Sequence, residues 1–83
     1  MMKNFSEKEL SVIKKALDYI GYSDVANDPN EIERWTDDDS ITVNTCRNGR
    51  RVVWISASEN NSVVMYIDTE EVLTDEEVEK ELL

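Results

Sequence analysis

Residues 41–57, ITVNTCRNGRRVVWISA, constrain the fold more than any other stretch. Two runs rich in β-branched residues flank Asn48-Gly49, the strongest short-range signal for a hairpin with a two-residue type I′ turn. Asn and Gly suit that turn because both central residues need φ > 0, which strains most other side chains. Beyond the polar residues 58–61, the run 62–68, SVVMYID, reads as the next strand. Together the three runs predict an antiparallel meander.

Alternation along the strands predicts the buried face. Pairing Arg47 with Arg50 across the turn sets Val43 opposite Trp54 and Thr45 opposite Val52. One face then carries Ile41, Val43, Val52 and Trp54. Val63, Met65 and Ile67 join it if the second connection is even-numbered; an odd-numbered one swaps the third strand's faces. The other face holds Thr42, Asn44, Cys46, Val53, Ile55, Val64 and Tyr66, half polar and half apolar.

Capping signals place the helices. Ser6 with Glu9 forms a capping box, and Phe5 with Leu10 a hydrophobic staple, at the head of a helix over residues 6–20. Leu10, Ile13, Leu17 and Ile20 make its apolar stripe, widened by Val12, Ala16 and Tyr19, and Gly21 sits at the C-cap. Residues 23–27 read as a polar connection. Asp28 then caps a short second helix with Pro29 in its first position, Glu31 closing a box, and Ile32 and Trp35 pointing inward; residues 36–40 stop it. Thr74 and Glu77 box a third helix, with Leu73 and Val78 as its staple and Asp75, Glu76 and Glu77 in the first turn. So short a helix must dock on the sheet to persist. The expected fold is one α+β domain: a three-stranded antiparallel β-meander, an N-terminal helix on one face and two short helices, in the order ααβββα.

Charge bounds the function. Nineteen Asp and Glu against nine Lys and Arg give a formal charge of −10 and a pI near 4.3. Direct binding to nucleic acid, or to an anionic membrane, needs the opposite sign. A basic protein partner suits the acidity, with long-range attraction raising the association rate. The sequence has no His and one Cys, so neither an internal disulfide nor a zinc cluster is expected, and Cys46 lacks an imidazole base. The two glycines are both taken by turns, which leaves no phosphate-cradling loop. No enzyme, metal or cofactor site is expected. The first residues show no apolar signal core and no run of about 18 apolar residues occurs, so a cytoplasmic protein without a membrane span is expected.

Two charge clusters remain. Residues 68–81 hold Asp68, Glu70, Glu71, Asp75, Glu76, Glu77, Glu79 and Glu81 against Lys80 alone. Carboxylates four apart on a helix are separated by about 6 Å of rise, of the order of phosphate spacing along a nucleic-acid strand. Such a surface can occupy a protein's DNA groove; the plainer reading is a solvated helix face. Arg47, Arg50 and Arg51 cluster at the hairpin tip, where like charges either diverge into solvent or meet acids of this chain or of a partner.

Residues 55–64, ISASENNSVV, resemble the I-S-x-S-E-N-x-S-[IV]-V stretch of small acidic anti-CRISPR proteins that block Cas9. Ser40, Ile41 and Thr42, with Asn48-Gly49, are similar to that family's first strand and turn. The resemblance implies a phage-type inhibitor in which a short sheet and helices present carboxylates as a DNA mimic, with Glu59 the site residue inside the matched run. The chain departs from the family after Glu59-Asn60, where the family opens a helix and Val63 to Ile67 read as strand.

The leading expectation is a non-enzymatic inhibitor of a basic, nucleic-acid-binding protein such as a nuclease. Asp37, Asp38, Asp39, Glu59, Glu70, Glu71, Glu76, Glu77 and Glu79 supply the charge, and Tyr66 or Ile55 an apolar anchor. The second is a structural or regulatory interaction module, homodimeric through the half-apolar sheet face, whose charge only keeps it soluble.

Overall fold

A computed structural model describes residues 5–83. Its elements are α1 (Glu7–Tyr19), α2 (Ser23–Ala26), α3 (Pro29–Asp37), β1 (Ile41–Thr45), β2 (Arg51–Ser58), β3 (Asn61–Tyr66) and α4 (Asp75–Leu82). The strands form one antiparallel sheet in the order β1-β2-β3. The α+β meander is therefore present, with three helices before the strands rather than two. Residues 23–27, expected as a connection, hold the short α2, because Val25 and Ala26 are buried against α1 and α3.

The caps form as their chemistry requires. Ser6 and Glu9 exchange both hydrogen bonds of a capping box at α1, and Thr74 and Glu77 do so at α4. Asp28 accepts from the backbone N–H groups of Asn30 and Glu31 at α3. Glu31 does not return the bond and instead pairs with Arg34 at 2.8 Å. α1 and α3 both end in Schellman turns. Tyr22 N–H donates to the Leu17 carbonyl with Gly21 at φ +90°, and Ser40 N–H donates to the Trp35 carbonyl with Asp39 at φ +65°. Asp tolerates that left-handed position better than most residues, so the acidic run ends α3 while extending it to Asp37.

Sheet register is where the structure parts from expectation. A type I′ turn needs two residues at positive φ, but only Gly49 of the pair has one, at +88°. Gly49 N–H donates to the Cys46 carbonyl, and Cys46 N–H donates to the Arg50 carbonyl. The loop is therefore Arg47–Asn48–Gly49, a three-residue hairpin with glycine in the left-handed bulge position. The Asn48 side-chain carbonyl locks it by accepting from Arg50 N–H at 2.9 Å. One extra loop residue shifts β2 by one, and a shift of one flips every side chain. Val43 faces Val53, and Ile41 faces Ile55.

Two apolar clusters result. Under α1 lie Ile41, Val53, Ile55, Val63 and Met65, packed with Val12, Ile13, Ala16 and Leu17 and, from α2 and α3, Val25, Ala26 and Ile32. Tyr22 and Trp35 close one side with rings edge to face at 5.1 Å. The opposite face carries Cys46, Val52, Val64 and Tyr66, and Trp54 joins them beneath Leu73, Val78 and Leu82 at α4. Val52 and Trp54 thus lie on the face opposite the one expected. Ile55 lies beneath α1, fully buried. Val63, Met65 and Ile67 lie with Ile41 and Val43 beneath α1 but on the face opposite Val52 and Trp54, the arrangement expected of an odd-numbered connection, because an irregularity between Ser56 and Ser58 adds a residue to β2.

Candidate functional site

The three arginines of the hairpin tip are all held within the molecule. Arg47 donates to the Lys80 carbonyl at 2.6 Å and to the Leu83 carbonyl, capping the C-terminal end of α4. There the helix dipole is negative and its carbonyls lack intrahelical partners. Arg50 forms a two-armed pair with Asp68, at 2.9 and 3.1 Å, and lies 3.5 Å above the Tyr66 ring. The pairing holds the Asp68 carboxyl below its ordinary pKa. Arg51 reaches Glu9 at 2.9 Å.

The tertiary structure separates the expected site residues into groups. Glu70 bridges Lys8 and Lys15, whose hydrogen bonds lower its pKa, so its charge is neutralised within the molecule. Tyr66 is 5% exposed, covered by Arg50, and its hydroxyl accepts from Asn48. Neither it nor Ile55 lies on open surface. Glu77 is tied to its capping box. Asp37 ends α3 and Asp38 and Asp39 follow it toward β1, all three exposed, and Glu59 lies exposed in the β2–β3 turn. Ser56 N–H donates to the Ser40 carbonyl, which sets these four acids at the same end of the sheet. Glu71 is exposed on the segment that returns along β3, and Glu76 and Glu79 project from α4.

A shallow groove of about 230 Å³ runs beside α4. It is lined by Tyr19, Trp54, Val63, Val64, Val72, Leu73 and Val78, with Ser62 and Asp75 at its polar margin. Tyr19 is 65% exposed and Val72 36%, so two of the three exposed large apolar side chains among the described residues meet there. Sequence reading missed this groove. The apolar pattern counts Tyr19 in the stripe of α1 and sets Trp54 on the opposite sheet face. The position of Tyr19 at the margin of that stripe was the available signal.

The half-apolar face is not left open, since α4 covers Cys46, Val52, Val64 and Tyr66. Cys46 is 3% exposed, and burial, reinforced by the charge of Glu81, raises its thiol pKa. It stays a protonated, weak nucleophile. Among the described residues no helix is long and apolar enough to cross a membrane. No family model, curated protein or solved structure matches this chain. The anti-CRISPR likeness therefore rests on residues 55–64, which form the end of β2, a turn and the start of β3, with strand where that family opens a helix.

Proposed function

We propose that the protein is a small acidic inhibitor, without catalytic activity of its own, that binds a basic nucleic-acid-binding protein in the manner of a DNA mimic. One observation supports this reading: among the described residues most of the positive charge is spent internally and much of the negative charge is not. Lys8, Lys15, Arg34, Arg50 and Arg51 are ion-paired, and Arg47 is held by helix carbonyls. Among the described residues this leaves Lys14 and Lys80 as cations without an anionic partner. Among the described residues Glu59, Glu71 (whose charge Arg50 senses), Asp75, Glu76 and Glu79 are exposed and form no salt bridge. The last three follow one face and flank of α4, with Asp75 and Glu79 about 6 Å apart along the axis. Beside them the Tyr19–Trp54–Val72 groove offers the apolar anchor point that charge alone does not supply.

The same reading predicts rapid, salt-sensitive association, because screening limits electrostatic reach to about 8 Å at physiological ionic strength. The combined change Glu71→Gln, Glu76→Gln and Glu79→Gln leaves every hydrogen bond described above intact. It should slow association with a basic DNA-binding protein by about tenfold at low salt, whereas Lys14→Gln should not slow it. Cleavage of target DNA by guide-loaded Cas9, with and without the protein, tests the narrower anti-CRISPR assignment. Undiminished cleavage, together with no salt-dependent binding to a panel of basic DNA-binding proteins, would overturn the reading.

A further inference from the structure

The groove beside α4 has three properties that bear on what fills it. Its walls are apolar, with Val72, Leu73 and Val78 along them. At about 230 Å³ it is smaller than the roughly 300–1,000 Å³ of small-molecule sites, so it admits one side chain rather than a whole ligand. Two aromatic rings line it: Tyr19, 65% exposed, and the half-buried Trp54. A carboxylate stands at its margin. Asp75 is exposed and forms no salt bridge among the described residues, and Glu79, one helical turn on, shares its side of α4. No Lys or Arg lines the groove.

Arginine is the side chain that meets all three properties. An aliphatic or aromatic side chain fills the walls but leaves Asp75 without a counter-ion. Lysine brings the charge, but its strongly hydrated ammonium meets a carboxylate only as a point charge and stacks less well on a ring. Arginine lays its methylene stem along apolar walls, its planar guanidinium against an aromatic face and its paired N–H groups on a carboxylate. The molecule already holds one arginine this way. Arg50 lies 3.5 Å above the Tyr66 ring while pairing twice with Asp68. We propose, on the reading above that the partner is basic, that the groove takes an arginine side chain from it. The stem lies against Val72 and Val78, and the guanidinium reaches the rings and Asp75.

Three capped peptides sharing one flexible Gly-Lys frame, with Arg, Lys or Leu at the centre, test this by titration into the full chain. The Trp54 indole N–H resonance reports the groove. That of Trp35, which packs on Tyr22 in the other apolar cluster, is the internal control. The Arg peptide should move the Trp54 resonance at about one-fifth the concentration that the Lys or Leu peptide needs, the scale of one guanidinium stacked on a ring. Tyr19→Ala and Asp75→Asn change exposed residues that belong to no capping box. Each should bring the Arg peptide to within about twofold of the Lys peptide. Equal binding of the Leu peptide would make the groove a plain apolar socket and overturn the proposal. So would a Trp54 resonance that no peptide moves, or an Arg preference that survives both variants. Consider a basic DNA-binding protein whose association is slowed by the combined Glu71→Gln, Glu76→Gln and Glu79→Gln change but untouched by Tyr19→Ala and Asp75→Asn. That result would also overturn the arginine assignment, and leave the reading of function standing. Arg-selective binding in a protein that captures none of the basic panel would uphold the groove's preference and overturn that reading instead.

Discussion

The guanidinium of Arg47 donates to the carbonyl of Lys80 at 2.6 Å, tying the hairpin tip to the last turn of α4 across thirty-three residues of chain. Arg47 N–H also donates to the Glu81 carbonyl, and Asn48 N–H to the Glu81 carboxylate. An eight-residue helix does not persist alone in water, so these bonds and the Leu73–Val78–Leu82 contacts hold it. Arg47→Ala should loosen α4 and cost about 1 kcal/mol, the scale of a solvent-exposed charge-assisted cap. Amide exchange should quicken selectively over residues 78–83. Arg47→Lys should restore the charge without the two-armed geometry, and so recover only part of the protection.

The turn makes a second prediction. Gly49 has φ +88°, and a Cβ placed there would meet nothing within 4 Å. The cost of replacing it is therefore backbone strain rather than a clash. Gly49→Val should lower stability in urea by about 1–3 kcal/mol, and Gly49→Asn by clearly less, since Asn enters the left-handed region more readily. Equal losses for the two variants would mean that this loop has another geometry.

Core substitutions should separate the two faces of the sheet. Leu17, on the sheet-facing side of α1, is completely buried, and Leu17→Ala should cost about 2–5 kcal/mol. Trp54 is half-buried beside the groove, so Trp54→Ala should cost roughly half the 3–5 kcal/mol of a fully buried tryptophan. Urea midpoints at unchanged m-value measure both. A Trp54→Ala loss larger than that of Leu17→Ala would contradict the register.

Glu9 gives a pH dependence of known sign. It is 9% exposed, and its pKa is lowered below 4.5, first by the Ser6 backbone hydrogen bond and then by Arg51, against the opposing effect of burial. A carboxylate depressed on folding contributes stability that is full above its unfolded pKa and is lost as pH falls through the folded value. Wild type should therefore lose its advantage over Glu9→Gln as pH drops below about 4.5. The difference between their denaturation midpoints should be constant from pH 6 to 8. A constant difference down to pH 2 would mean that Glu9 contributes through shape rather than charge.

Local chemistry was legible in the chain wherever one residue's own side chain decides the outcome. Ser6, Asp28 and Thr74 cap helices because their oxygens reach backbone N–H groups a few residues ahead. Gly21 ends α1 because it lacks a Cβ. The β-branched runs marked the three strands for a similarly local reason, their fit to a pleated, half-buried surface. Tertiary structure decided what rests on relationships between distant residues. The hairpin took three loop residues rather than two, and that single residue moved Val53 and Ile55 beneath α1 and Trp54 to the other face. Pattern alone could not arbitrate, because residues 52–55 are apolar without interruption and satisfy either register. Net charge was readable by counting, but which charges stay exposed was not. Glu9 to Arg51, Glu70 to Lys8 and Lys15, and Asp68 to Arg50 cancel only once the sheet and helices bring them together. Coulomb attraction depends on distance in space, and sequence separation does not supply it.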